Sequence, residues 1–168
     1  MIKPHFARVM SRYNKWQNAG LMAAADTLDA SALQQDRGAF FGSILGTFNH
    51  LLWGDTIWMS RFDGWAAPQG GIADSPGLTE GWAAFRQART DADTRILDWA
   101  QRLQAGDLGG DLAWFSGAAN VDVTKAKWQC VQHFFNHQTH HRGQIHAMLT
   151  AAGAKPAGTD LFLMPEGE

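Results

Sequence analysis

The sequence is poor in several things, and each scarcity narrows the field. Cys130 is the only cysteine, which excludes an internal disulfide framework and any cysteine-rich zinc site and fits a reducing compartment. No stretch gathers more than a couple of Lys or Arg, and the formal net charge is −2. Polyanion binding draws much of its strength from phosphate neutralisation, so nucleic acid is not an expected partner. No apolar run reaches the ~18 residues needed to span a bilayer, and the polar start MIKPHFARVMSRYNK lacks a signal-peptide core. The expectation is a cytoplasmic protein without a membrane partner. Only five prolines interrupt 168 residues that are 45% hydrophobic. That describes one globular domain over residues 1–168, large enough to bury a core.

Helical periodicity is present in four long segments. The first is expected over Pro4–Thr27, with proline suited to a first turn and Phe6, Val9, Met10, Tyr13 and Trp16 on one face. The second is expected over Arg37–Phe62. Its stripe of Phe41, Ile44, Leu45, Phe48, Leu52 and Met59 is broken only by Asp55. The third starts near Thr79, read as an N-cap, and ends before Gly106; Arg89 is the one polar residue in its seam. The fourth runs from about Thr124 to Gly153, with Pro156 beyond. Residues 63–77 form a long Gly- and Pro-rich connection, and residues 107–122 read as irregular chain or a short hairpin. No strand pattern is convincing, so the expected class is all-α: a four-helix bundle with long 2–3 and 3–4 connections. Trp65, Trp114 and Phe115 in those connections are candidate pocket walls, with a purely structural role equally open.

Five of the seven histidines fall within HFFNHQTHHRGQIH, residues 133–146. On a helix, residues four apart lie about 40° apart in azimuth and about 6 Å apart along the axis. His137 and His141 can therefore converge on one ion, and His133 with His137 is an alternative pair. His140 lies on the flank, and His5 and His146 read as surface residues. Cys130 is seven residues from His137, about 10.5 Å along the axis, too far to share that ion. Two imidazoles hold a metal weakly. The best third ligand from another helix is His50, which a helical wheel places opposite Phe41, Leu45 and Phe48, among small residues such as Ser43, Thr47 and Gly54. Those small residues leave room for an ion and substrate, or equally suit close helix packing. Three imidazoles without an obligatory carboxylate suit Zn²⁺, with Ni²⁺, Fe²⁺ or Co²⁺ as alternatives. Such a site keeps an open coordination position that can acidify bound water or a thiol. Asp55 can orient a ligating imidazole, cap the helix, or pair with Arg61 or Arg142. Arg142 and Gln144 can contact an anionic substrate or bond to backbone or a facing helix.

The run His133, Asn136, His137, His141, Arg142, Gly143, Gln144, followed by Gly153, resembles the last helix of the DinB-like family of bacterial four-helix-bundle proteins, with its pattern H-x-x-N-H-x-x-x-H-R-G-Q. FNHLLWGDTIWMSRF is similar to the family's second helix with its single histidine, and GTDLFLMPEGE is similar to its tail. The resemblance implies a divalent metal held by His50, His137 and His141, with His133 not a ligand, and frequent homodimers. It also implies kinship with metal-dependent thiol S-transferases that use bacillithiol or mycothiol, and with a mycothiol-dependent isomerase, in which the metal activates a low-molecular-weight thiol toward an electrophile. Two other readings stand beside it: a metal-binding stress-response protein without turnover, and a metal-dependent hydrolase, for which no general base is evident.

Overall fold

A computed structural model describes residues 1–166. The last two residues of the tail segment GTDLFLMPEGE lie outside the described residues. The chain is mostly helical: α1 (Pro4–Ala25), a short α2 (Ala30–Gln34), α3 (Ile44–Asp63), α4 (Trp82–Arg102) and α5 (Lys127–Ala151), with a hairpin of β1 (Asp111–Ser116) and β2 (Val121–Ala126) before α5. The long helices pack α1 on α4 and α5, and α3 on α4 and α5. No described helix is long and apolar enough to cross a membrane.

The apolar stripes meet in one core. Phe48 of α3, Phe85 and Ile96 of α4, and Val131, Phe134 and Ile145 of α5 are almost wholly buried. Aromatic rings knit the helices together: Phe48 packs on Phe85 with centroids 4.9 Å apart, and Phe6 meets Phe135 edge-on at 5.7 Å. Burial of each such side chain stabilises the fold by roughly 1.5–3 kcal/mol.

Three element boundaries differ from expectation. The second long helix begins at Ile44 and not at Arg37. Gly38 and Gly42 adopt φ of 69° and 73°, a left-handed conformation that stops a helix, and Ala39 and Gly42 pair across the turn between them. Ser43 then caps α3, its hydroxyl accepting from Gly46 N–H at 2.9 Å. Phe41 consequently leaves the helical stripe for the preceding turn. Thr79 does not cap the third helix. Gly81, at φ 94°, occupies that position, and the Thr79 hydroxyl donates instead to Asn49 Oδ1 at 2.8 Å. The fourth helix starts at Lys127 because residues 121–126 pair with 111–116. Val121, Val123 and Thr124 are β-branched and suit that ladder, and Asn120, at φ 53°, makes the reversal. Gly153, at φ 87°, ends the helix as expected.

The Ser43 cap sets where α3 starts and so where His50 stands. Ser43→Ala should cost about 1 kcal/mol of unfolding free energy, measured by urea denaturation. No loss would show that the α3 start is held by the preceding turn alone.

Candidate functional site

His50 on α3 and His137 and His141 on α5 come together, each offering one ring nitrogen, with these atoms all within 4.8 Å of one another. The centroid distances are 4.3 Å for His137–His141, 4.6 Å for His50–His141 and 5.4 Å for His50–His137. The convergence needs α3 and α5 to lie close, and Gly54 permits it. A Cβ there would stand 2.6 Å from His137 Cε1. Of the two uses open to small residues on this face, close packing is what Gly54 serves.

The outer nitrogens of two rings are engaged. Ser75 Oγ donates to Ile72 O at 2.6 Å, so its one hydrogen is spent and it accepts from His50 Nδ1–H at 2.8 Å. Gln144 Oε1, an acceptor only, takes His141 Nδ1–H at 2.7 Å. Both bonds fix the tautomer that leaves the lone pair on Nε2. His141 Nε2 faces His137 Nε2 at 3.1 Å. His137 Nδ1 is buried without a partner. His141 Nε2 presents a lone pair there, and His137, whose Nδ1 is bound to nothing, is free to turn its own to the same point, so the donor set fits a divalent metal.

The imidazoles are held neutral. Burial, and then repulsion from His141, lowers the His50 pKa to about 4. Burial, with the neighbouring imidazoles second, lowers that of His137 to about 3. Burial also lowers His141, partly offset by the Gln144 hydrogen bond. Neutral imidazole is the ligating form.

The walls come from unexpected places. The apolar period places Phe41 opposite His50 on a continuous helix. Because the helix begins three residues later, Phe41 folds back and stacks on His50 at 3.7 Å and 16°, with an edge to His141 at 5.6 Å. The 63–77 connection reaches the site through Ser75, and Asn49 Nδ2 secures it by donating to Pro76 O at 2.8 Å. Trp65 does not line the site. It is buried elsewhere, with the Arg95 guanidinium 3.6 Å from its ring centroid. Phe115 is 58% exposed. Trp114 joins a cluster beside the histidines. It packs on Trp58 at 5.4 Å, the Arg61 guanidinium lies 4.6 Å and 5.2 Å from these two rings, and His133 meets Trp58 at 5.1 Å. His133 and His140 make ring contacts with His137 and His141 respectively, and neither belongs to the three-histidine group. Cys130 is buried, and that burial raises its thiol pKa.

Asp55 neither orients a ligand imidazole nor caps α3, and it pairs with neither Arg61 nor Arg142. It accepts from Arg89 Nη1 at 2.6 Å and from Gln138 Nε2 at 2.9 Å. Arg89 also bridges to Asp93 at 2.8 Å, and Asp93 accepts from Asn18 at 2.9 Å and from Asn14 at 3.4 Å. Arg142 closes the chain by donating to Asn14 Oδ1. Burial raises the Asp55 and Asp93 pKa values, the latter to about 6, against the pull of Arg89. The run His141–Arg142–Gly143–Gln144 thus divides its labour. His141 faces the cluster, Gln144 orients it, and Arg142 turns into the core.

Fold and site together define a mostly helical protein whose helices α3 and α5 assemble three neutral imidazoles able to hold a metal ion. The DinB family model matches residues 1–168, and the chain belongs to that family. It is similar to Protein DinB of Bacillus subtilis (strain 168), at 26% identity over 165 residues, covering 94% of this chain and 92% of that protein.

Proposed function

We propose that this chain is a four-helix-bundle enzyme of the thiol S-transferase type, binding a divalent ion, with Zn²⁺ the first choice, through His50, His137 and His141. The observation that carries the reading is the pair of outward Nδ1–H bonds, to Ser75 and Gln144, which leave the lone pairs of His50 and His141 on Nε2 in a group whose ligand atoms lie within 4.8 Å of one another. A bound ion with an open position supplies Lewis acidity that raises the thiolate fraction of a coordinated low-molecular-weight thiol, and the thiolate is the nucleophile. The residues of this chain hold the imidazoles neutral, fix the tautomers of His50 and His141 and present an aromatic wall of Phe41 and Trp53, both stacked on His50. Arg61, against the rings of Trp58 and Trp114 in the cluster that reaches His133, offers a cation to an anionic group of a thiol or electrophile. A hydrolase reading is weaker, because Asp55, the acid closest in sequence to His50, is already committed to Arg89 and Gln138. Cytoplasmic location and a homodimer belong to the same proposal.

The test is elemental analysis of untagged protein beside His50→Ala, His137→Ala and His141→Ala. Near-stoichiometric metal in the wild type, lost in each variant, is the expected result. Retention should also persist well below the ordinary imidazole pKa of about 6.5. Burial lowers the pKa of all three imidazoles, so protons compete for the ligands only below that ordinary value. A wild type that takes up neither Zn²⁺ nor Ni²⁺ would end the metal reading. Metal without any thiol–electrophile turnover would leave a metal-binding protein and remove the transferase.

A further inference from the structure

On the α1 side of α5, turned away from the three histidines, lies a cavity of about 290 Å³. Tyr13, Gln17, Leu21, Arg142, His146 and Ala147 contribute to its lining. The size is near the lower end of small-molecule sites. Its chemistry is set by Arg142, which is only 5% exposed.

Burying a guanidinium is costly unless a carboxylate accompanies it. Arg89 obeys the rule, with Asp55 and Asp93 at 2.6 Å and 2.8 Å. Arg142 does not. Among the described residues no carboxylate lies within ion-pair distance of it, and it donates only to the neutral oxygens of Asn14 and Thr139, the latter at 3.4 Å. The Tyr13 ring adds a face 5.5 Å from its Cζ. A guanidinium has five N–H donors, so most of its capacity is uncommitted. The cavity adjoins this guanidinium, which is among its lining residues.

The rest of the lining suits a small molecule with an apolar body. Tyr13 spends its donor, and Gln17 one of its two N–H groups, on the tail, to Thr159 O at 2.6 Å and Gly158 O at 3.2 Å. They fix the rim, and Arg142 is the one charged guanidinium of the lining, with His146 also contributing. Leu21 and Ala147 supply apolar surface. We propose that this cavity is a binding site for a small organic oxyanion, a carboxylate or a phosphate monoester, whose charged group pairs with Arg142 and whose apolar part lies against Leu21 and Ala147. The site is separate from the histidine cluster and does not depend on what the cluster does.

The test is calorimetric titration, with a parallel melting curve, of the full chain with benzoate, phenyl phosphate and neutral benzamide. Saturable binding of benzoate or phenyl phosphate, and none of benzamide, is expected; whichever oxyanion binds more tightly identifies the source. Ala147→Phe, which fills the cavity without touching charge, should weaken binding at least tenfold, as should Arg142→Gln. If Arg142→Gln does not fold, Ala147→Phe still decides. Three results would overturn the proposal: no saturable binding of either oxyanion up to about 10 mM, tenfold above a millimolar Kd; equal binding of benzamide; or full affinity in Ala147→Phe.

Discussion

Arg89→Met should cost this protein about 3–5 kcal/mol of unfolding free energy, because it strands two buried carboxylates. Arg89 and Asp55 are completely buried and Asp93 is 3% exposed. Methionine keeps most of the volume, so the loss reports charge and not a cavity. The pH dependence gives the effect a signature. Asp93 in the folded protein titrates near 6, above its ordinary 3.8. Between those values the native state holds more protons than the unfolded chain, so this group's contribution to stability falls as pH rises through the window and levels off above it. Without Arg89, the attraction that opposes burial disappears, and the folded values of Asp55 and Asp93 move higher still. The window therefore extends upward, and the variant should be penalised more at about pH 8 than at about pH 5. Urea unfolding at both values measures it. A loss below about 1 kcal/mol at the higher pH would contradict the picture of a charged buried network.

That network also marks how far the sequence could be read. Asp55 and Arg89 each stand out as the one polar residue in an apolar stripe, yet nothing local says that they meet. They are 34 residues apart on different helices, and pairing them requires the register of α3 against α4. Asn14, Asn18 and Gln138 look like ordinary polar helix residues until the helices pack, and sequence reasoning did not find them. The i, i+4 pair His137 and His141 was legible because one helix fixes its geometry. His50 needed more: it was the only histidine on a second helix, and the family resemblance singled out the same residue. Phe41 was misplaced because its apolar spacing continues the α3 period, while Gly38 and Gly42 stop the helix. The punctuation outweighed the period. The hairpin before α5 was weakly signalled for a related reason. Its strands are largely exposed, so they carry little of the apolar alternation that betrays a half-buried strand.

Gly54→Ala should give a folded protein that binds Zn²⁺ about 10- to 100-fold more weakly, although no ligand is altered. The added Cβ would sit 2.6 Å from His137 Cε1, far inside contact distance, and two responses are open. His137 can rotate away, or α3 and α5 can part by enough to clear the ring. Either one separates His137 from His50 or His141 and leaves two well-placed imidazoles, too few for a tight site. Stability responds differently. Alanine is the better helix former by about 1 kcal/mol, which offsets part of the steric cost, so helicity and cooperative unfolding should survive. A competition titration with a chromogenic chelator reads affinity, and a thermal melt monitored by circular dichroism reads the fold. His133→Ala is the control. His133 neighbours His137 at a centroid distance of 5.9 Å but stands outside the three-histidine group, so its loss should change affinity little. Wild-type affinity in Gly54→Ala would mean that the close approach of α3 and α5 does not set the site. A large loss in His133→Ala would move the ligand set to the alternative pair that helical spacing also allows.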